Sequence, residues 1–321
     1  MKKITYLLGA GASANALPLI KTSSGKNGPG LPQELKTFIE KNTSSLLSKN
    51  QSWDSETIGT LNDIADKCIE FGTPDLYAKF LLETGDSTNY KILKTFLSVF
   101  FKVKQDLENC FDFRALSFLT TISQNQKIPD NIKILTWNYD RQIEIAATKL
   151  KPINPGGYSM IQGFSSWPNM RDGHDTGVNP FLFHLNGVAG YIHSERNFYE
   201  DIEGYFSFKT TLNKETLLSF AWEDEAISSK KIFHEQRLPV AREIASQTQI
   251  LVIIGYSFPF FNRDIDKEIM NTMMPSLQKI YVQDPFYDGS QLNGLFDIPP
   301  PLLKNIVHVE QVDNYHIPYE L

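Results

Sequence analysis

Four short apolar runs that each end in small or polar residues constrain this chain more than any other feature. Residues 4–8 (ITYLL) run into Gly9-Ala10-Gly11-Ala12-Ser13-Ala14, and 132–135 (IKIL) into Thr136-Trp137-Asn138-Tyr139-Asp140. Residues 249–254 (QILVII) run into Gly255-Tyr256-Ser257-Phe258, and 280–283 (IYVQ) into Asp284-Pro285. Near-continuously apolar runs alternating with helical patterns predict an α/β fold: a Rossmann-like parallel sheet with helices on both faces. The carboxyl ends of such strands form the ligand crevice, where connections diverge. The four endings are therefore expected to contribute to one site.

The segments between the runs set the organisation of a single domain over 1–321. From 31 to 126 the pattern is helical: Leu93, Phe96, Leu97, Phe100, Val103 and Leu107 recur at three- to four-residue spacing, as do Ile58, Leu61, Ala65 and Cys68. These are core faces of a helical insertion. A helix with Ile143, Ala146, Ala147 and Leu150 on one face follows the second strand. Residues 151–235 read as a small inserted lobe, in which PFLFHLNGVAGYIH is a short strand, a turn and another strand. A later helix, capped near Asp264, carries Ile265, Ile269 and Met273 on one side. The polar stretch 21–30, KTSSGKNGPG, is a candidate lid beside the glycine turn.

Composition excludes several function classes. With a net charge of −6 and dispersed lysines and arginines, the chain lacks the footprint that nucleic-acid backbones select. Its longest apolar run, residues 250–261, is about 12 residues against the ~20 of a membrane-spanning helix, so no membrane segment is expected. Two cysteines, Cys68 and Cys110, form neither a disulfide framework nor a zinc ribbon, and the cytoplasm is the expected compartment. Lys2, Lys3 and the Ala12-Ser13-Ala14 triplet resemble a signal peptide, but its apolar stretch is too short.

Three motifs carry chemistry, each with a structural alternative. Gly9 and Gly11, in a G-x-G-x-x-A pattern, let backbone approach a pyrophosphate at a helix N-terminus, or simply make a tight turn. A dehydrogenase would place an acidic strand end about 20 residues on, where this chain has KTSSGKNGPG and a helix containing Glu34. Asn138, between Thr136 and Asp140, is polar for a strand end; Asp140 either lines a site or caps the next helix. His184, in FLFHLNG, is a core histidine or a general base for a ribose hydroxyl or a water.

GAGAS, TWNYD, HLNG and GYSF, in that order, resemble the sirtuin superfamily over roughly residues 1–20 and 130–290, leaving 31–126 unmatched. The resemblance implies that Gly9, Ala10, Gly11, Ala12 and Ser13 hold the NAD pyrophosphate. It implies that Asn138 and Asp140 line the nicotinamide-ribose pocket with Thr136, that His184 is catalytic, and that Gly255, Tyr256, Ser257 and Asp284 complete the NAD site. The chain departs from the family's deacylases. It lacks their four-cysteine zinc module, so no metal is expected, and it has Ala16-Leu17-Pro18-Leu19-Ile20-Lys21 in place of Gly-Ile-Pro-x-Phe-Arg. Asn138-Tyr139-Asp140 stands for Asn-Ile-Asp, and His184-Leu185-Asn186-Gly187 for His-Gly.

The pattern is similar to bacterial sirtuin-like NAD hydrolases of anti-phage defence, which deplete NAD in infected cells. NAD is then the substrate: nicotinamide leaves, and water attacks an oxocarbenium-like ribose. The same resemblance implies a homo-oligomer, and a hexameric HerA-like ATPase as partner. A non-catalytic NAD or ADP-ribose sensor, or a deacylase or ADP-ribosyltransferase, are the competing readings.

Overall fold

In the computed structural model, the described residues are 1–20, 29–46, 54–150, 161–167, 180–191, 216–223 and 231–321. Most of the candidate lid, 21–28, and most of the proposed lobe lie outside them.

Seven strands form one parallel sheet: β1 (Ile4–Leu8), β2 (Ile132–Thr136), β3 (Ser166–Trp167), β4 (Leu182–His184), β7 (Ile250–Ile254), β8 (Lys279–Gln283) and β9 (Ile306–Val309). Their order across the sheet is β3-β4-β2-β1-β7-β8-β9, with every neighbouring pair parallel. The expected α/β Rossmann-like architecture is thus present. β5 (Gly187–Tyr191) and β6 (Thr216–Leu218) form a separate antiparallel pair. The segment 151–235 therefore divides between two sheets, with β3 and β4 extending the main one.

Burial on both faces explains the continuous apolar runs. Ile4, Tyr6 and Leu8 pack with Phe118, Leu119 and Ala146 from α5 (Phe113–Ile122) and α6 (Gln142–Lys149). On the opposite face, Leu7, Leu251 and Ile253 pack with Ile244 of α7 (Lys231–Gln247) and with Ile269 and Met273 of α8 (Arg263–Met273). A third core joins the helices of the insertion, α1 (Leu31–Leu46), α2 (Ser55–Phe71), α3 (Pro74–Glu83) and α4 (Ser87–Asp106). Asp54, Thr73 and Asp86 cap α2, α3 and α4 by accepting from Thr57, Leu76 and Asn89 N–H groups. No helix among the described residues is long and apolar enough to cross a membrane.

Register places the polar endings at one level. His184 pairs with Thr136, Thr136 with Leu8, Leu8 with Ile254, and Ile254 with Gln283. Connections leave β1 toward β2 on one side and β7 toward β8 on the other, so the chain diverges between β1 and β7.

Candidate functional site

Where β2 ends, short hydrogen bonds fix the TWNYD backbone. Asn138 N–H donates to Thr136 Oγ1 (3.1 Å), and Trp137 N–H donates to the Leu8 carbonyl (3.0 Å). The Asn138 amide nitrogen donates to the Gly9 carbonyl (2.9 Å) and to Ser13 Oγ (3.3 Å), tying β2 to the glycine turn. Asp140 accepts from Gln142 N–H (3.1 Å), at the start of the following helix, and lines a cavity as well. Burial pushes its carboxyl up to about 6, against the opposing pull of Ser13, the Gln142 N–H and His184.

Two cavities meet at Ser13, Asn138 and Asp140. One, of about 10 Å³, has room for about a single water and is bounded by Thr136, His184, Glu144 and Tyr315. The other, of about 40 Å³, lies between the glycine turn and the helical insertion. Leu17, Leu31, Leu97, Phe101 and Trp137 form its apolar walls, and Asp75 and Asp140 are its carboxyls.

His184, at the end of β4, is 1% exposed. Its Nε2 lies 2.9 Å from Glu144 Oε1 and its Nδ1 3.2 Å from the Asn138 carbonyl. Both nitrogens thus face acceptors, the arrangement of a doubly protonated ring. Burial opposes that charge, but Glu144 and the Asn138 carbonyl outweigh it and raise the His184 pKa above its ordinary value. Burial likewise opposes ionisation of Glu144, and His184 with Arg141 more than compensates, holding its carboxyl below the usual range. Both shifts favour the charged form of the pair, a Glu144 carboxylate with a His184 imidazolium. In this resting geometry His184 has no free lone pair, so base catalysis requires it to lose a proton first.

The glycine turn differs from expectation. Ala10–Ser13 is a single 3₁₀ turn, and no α-helix follows before residue 21. The phosphate cradle expected at a helix N-terminus therefore has no helix behind it. The bare backbone is instead required by a close approach to β7. A Cβ on Gly11 would lie 2.6 Å from the Gly255 Cα, and one on Gly9 2.6 Å from the Gly255 carbonyl oxygen. Gly255 itself adopts φ +55°. The N–H groups of Gly9 and Gly11 donate to the carbonyls of Ile254 and Gly255, both at 3.0 Å. On the other side, Arg114 Nη2 donates to the carbonyls of Gly11 (3.3 Å) and Ala12 (3.1 Å), and Tyr315 OH donates to Ala12 (2.7 Å). Ala12 is buried in the core beneath.

Of the expected site residues, the structure gathers Ala10, Ser13, Thr136, Asn138, Asp140 and His184 around the two cavities. Gly255, Tyr256, Ser257 and Asp284 line neither. Tyr256 OH donates to Asp266 Oδ2 (2.7 Å), and Trp137 Nε1 donates to Asp266 Oδ1 (3.0 Å). The aromatic residues of two motifs thus converge on one buried carboxylate, whose pKa burial pushes up to about 7. Ser257 is exposed, and Asp284 accepts from Phe286 N–H (2.8 Å) in a turn. Sequence reasoning missed Glu144, Asp75, Arg114 and Tyr315. Glu144 did leave a signal, as an acid flanking the apolar face that carries Ile143 and Ala147.

Neither a protein-family model nor a curated protein matches the chain. Among solved structures it is similar to a Sir2 variant with a deacetylated p53 peptide and 3'-O-acetyl ADP-ribose, at 12% identity over 97% of this chain and 88% of that chain, TM-score 0.44. It is also similar to Sir2Tm bound to a propionylated peptide, at 12% identity over 96% of this chain and 87% of that chain, TM-score 0.40. No residue role follows from a likeness at this level.

Proposed function

We propose that this site binds NAD and hydrolyses its nicotinamide N-glycosidic bond. The observation that carries the reading is the Glu144–His184 pair, linked to Asn138 through its backbone carbonyl, in the wall of a water-sized cavity that meets an apolar, acid-lined one at Ser13, Asn138 and Asp140. The larger cavity suits a flat ring bearing an amide, with Asp140 as acceptor for its N–H groups. Cleavage sends the bonding electron pair to the pyridinium nitrogen, leaving neutral nicotinamide and an oxocarbenium-like ribose to which water adds. Asn138 orients the ribose or that water. Glu144 fixes the Nε2–H tautomer of His184, so that Nδ1, once it is free of its proton and of the Asn138 carbonyl, takes the proton released by the water or by a ribose hydroxyl. General-base catalysis of this kind contributes about 10²–10⁴-fold.

The near-complete burial of His184 and the engagement of both its nitrogens favour, as a second reading, a sensor that binds NAD or ADP-ribose without turnover. Chromatography of nicotinamide and ADP-ribose released from NAD separates the two. Hydrolysis predicts stoichiometric products, lost in Asn138→Ala and His184→Ala. Binding without products supports the sensor, and absence of both binding and products refutes the NAD site.

The motif order supports extending the proposal to NAD depletion in anti-phage defence, with activity released by self-assembly or by a hexameric HerA-like ATPase. Cells carrying the chain should then lose NAD on phage infection, and cells carrying Asn138→Ala should not.

A further inference from the structure

The larger cavity contains an acid that neither the motifs nor the reaction requires. Asp75 belongs to the helical insertion, at the second position of α3, and it lines the cavity together with Asp140. Among the described residues, none that lines the cavity is basic. Asp140 is satisfied, accepting from the Gln142 N–H and held by Ser13. The Asp75 carboxyl has no hydrogen-bond or ion-pair partner among the described residues, and burial pushes it up to about 6.

Helix stabilisation does not account for this placement. An acid in the first turn favours the helix dipole wherever it points. Here Thr73 Oγ1 already accepts from the Leu76 N–H, so the end of α3 is capped without Asp75. Asp75 is half-buried at the edge of apolar walls, and a ligand that brings N–H donors and positive charge gives its carboxyl a partner there.

We propose that Asp75 is a specificity residue of this site: with Asp140 it admits a cationic ring bearing a carboxamide and rejects the same ring bearing a carboxylate. The proposal rests on the NAD-cleaving reading. The discriminated pair is NAD and nicotinic acid adenine dinucleotide, which differ only in that group. A ligand carboxylate would meet two acids and, among the described residues, no cation, whereas the carboxamide offers its N–H groups to both. Repulsion between a ligand carboxylate and acids lining the same cavity supports discrimination of about a hundredfold.

The test compares kcat/KM for both dinucleotides in the wild-type chain, Asp75→Asn and Asp75→Glu, with thermal melting as the folding control. The expected result is a preference for NAD of about a hundredfold that shrinks at least tenfold in Asp75→Asn, mainly through KM, and is kept in Asp75→Glu. An unchanged ratio in a folded Asp75→Asn that still cleaves NAD overturns the proposal and leaves the hydrolase standing. If the wild-type chain cleaves neither dinucleotide, the hydrolase reading fails separately, and binding of free nicotinamide against free nicotinate, followed by saturation-transfer NMR, decides the role of Asp75. A preference for nicotinamide that is lost in Asp75→Asn supports it, and no preference overturns it.

Discussion

Replacing Glu144 with glutamine removes the charge that holds His184 protonated while keeping the shape of the side chain. The two groups meet at 2.9 Å, both buried. Breaking a buried ion pair by removing one partner costs about 3–5 kcal/mol, because the other charge is left uncompensated. Glutamine Oε1 still accepts from a neutral ring, so His184 relieves part of this by deprotonating, which sets the expected loss near the lower bound, about 3 kcal/mol. The pH dependence has a definite sign. The lowered pKa of Glu144 gives stability that is present above its ordinary value of 4.5 and lost as pH falls through the folded-state value. The raised pKa of His184 gives stability that is complete below its ordinary value of 6.5 and lost as pH rises through the folded-state value. The substitution therefore costs most between these limits and less at alkaline pH. Urea unfolding at about pH 6 and about pH 9 reads the difference, and an NMR titration of His184 should show its pKa fall in Glu144→Gln, because burial is then opposed only by the Asn138 carbonyl and Asp140. A loss under about 1 kcal/mol at the lower pH, or an equal loss at both, would refute the ion pair.

Three further outcomes are expected. Gly255→Ala should lose about 2–5 kcal/mol in denaturant unfolding, combining left-handed backbone strain with overlap of a Cβ built 2.4 Å from the Gly11 Cα; a neutral substitution would mean that the β1 and β7 turns are not packed as described. Asp266→Asn should flatten the fall in stability between about pH 4 and 7. The raised Asp266 pKa gives stability that is complete below the usual aspartate range and lost as pH rises through about 7, some 4 kcal/mol in all at about 1.4 kcal/mol per tenfold change in the proton equilibrium, and an unaltered pH slope would count against it. In the proposed hydrolase, kcat should rise with pH through an apparent pKa above 6.5 and that midpoint should move down in Glu144→Gln, whereas a pH-independent kcat would remove His184 from the role of base.

The central strands were legible because both faces of each are buried, so that residues 4–8 and 250–254 are apolar without a break. The insertion was legible as helices because one stripe of each packs inward. β9 escaped notice as an edge strand, with Val307 and His308 exposed and no continuous apolar run to mark it. The purpose of Gly9, Gly11 and Gly255 was not legible. Their mutual contact depends on β1 lying beside β7, a matter of strand order rather than of local sequence. Asn138, Asp140 and His184 stood out as polar residues at apolar strand ends. Asp75 and Arg114 did not, because ordinary helix-terminal positions become part of the site only when the insertion and α5 fold against the glycine turn.

NAD binding at this site is tested most directly by a crystal structure of His184→Ala grown with NAD, a variant chosen to hold substrate without turnover. The nicotinamide ring is expected in the cavity between Leu17, Phe101 and Trp137, its carboxamide within hydrogen-bond distance of Asp140, and the ribose beside Asn138. A dinucleotide bound elsewhere, or a nicotinamide ring outside that cavity, would contradict this placement.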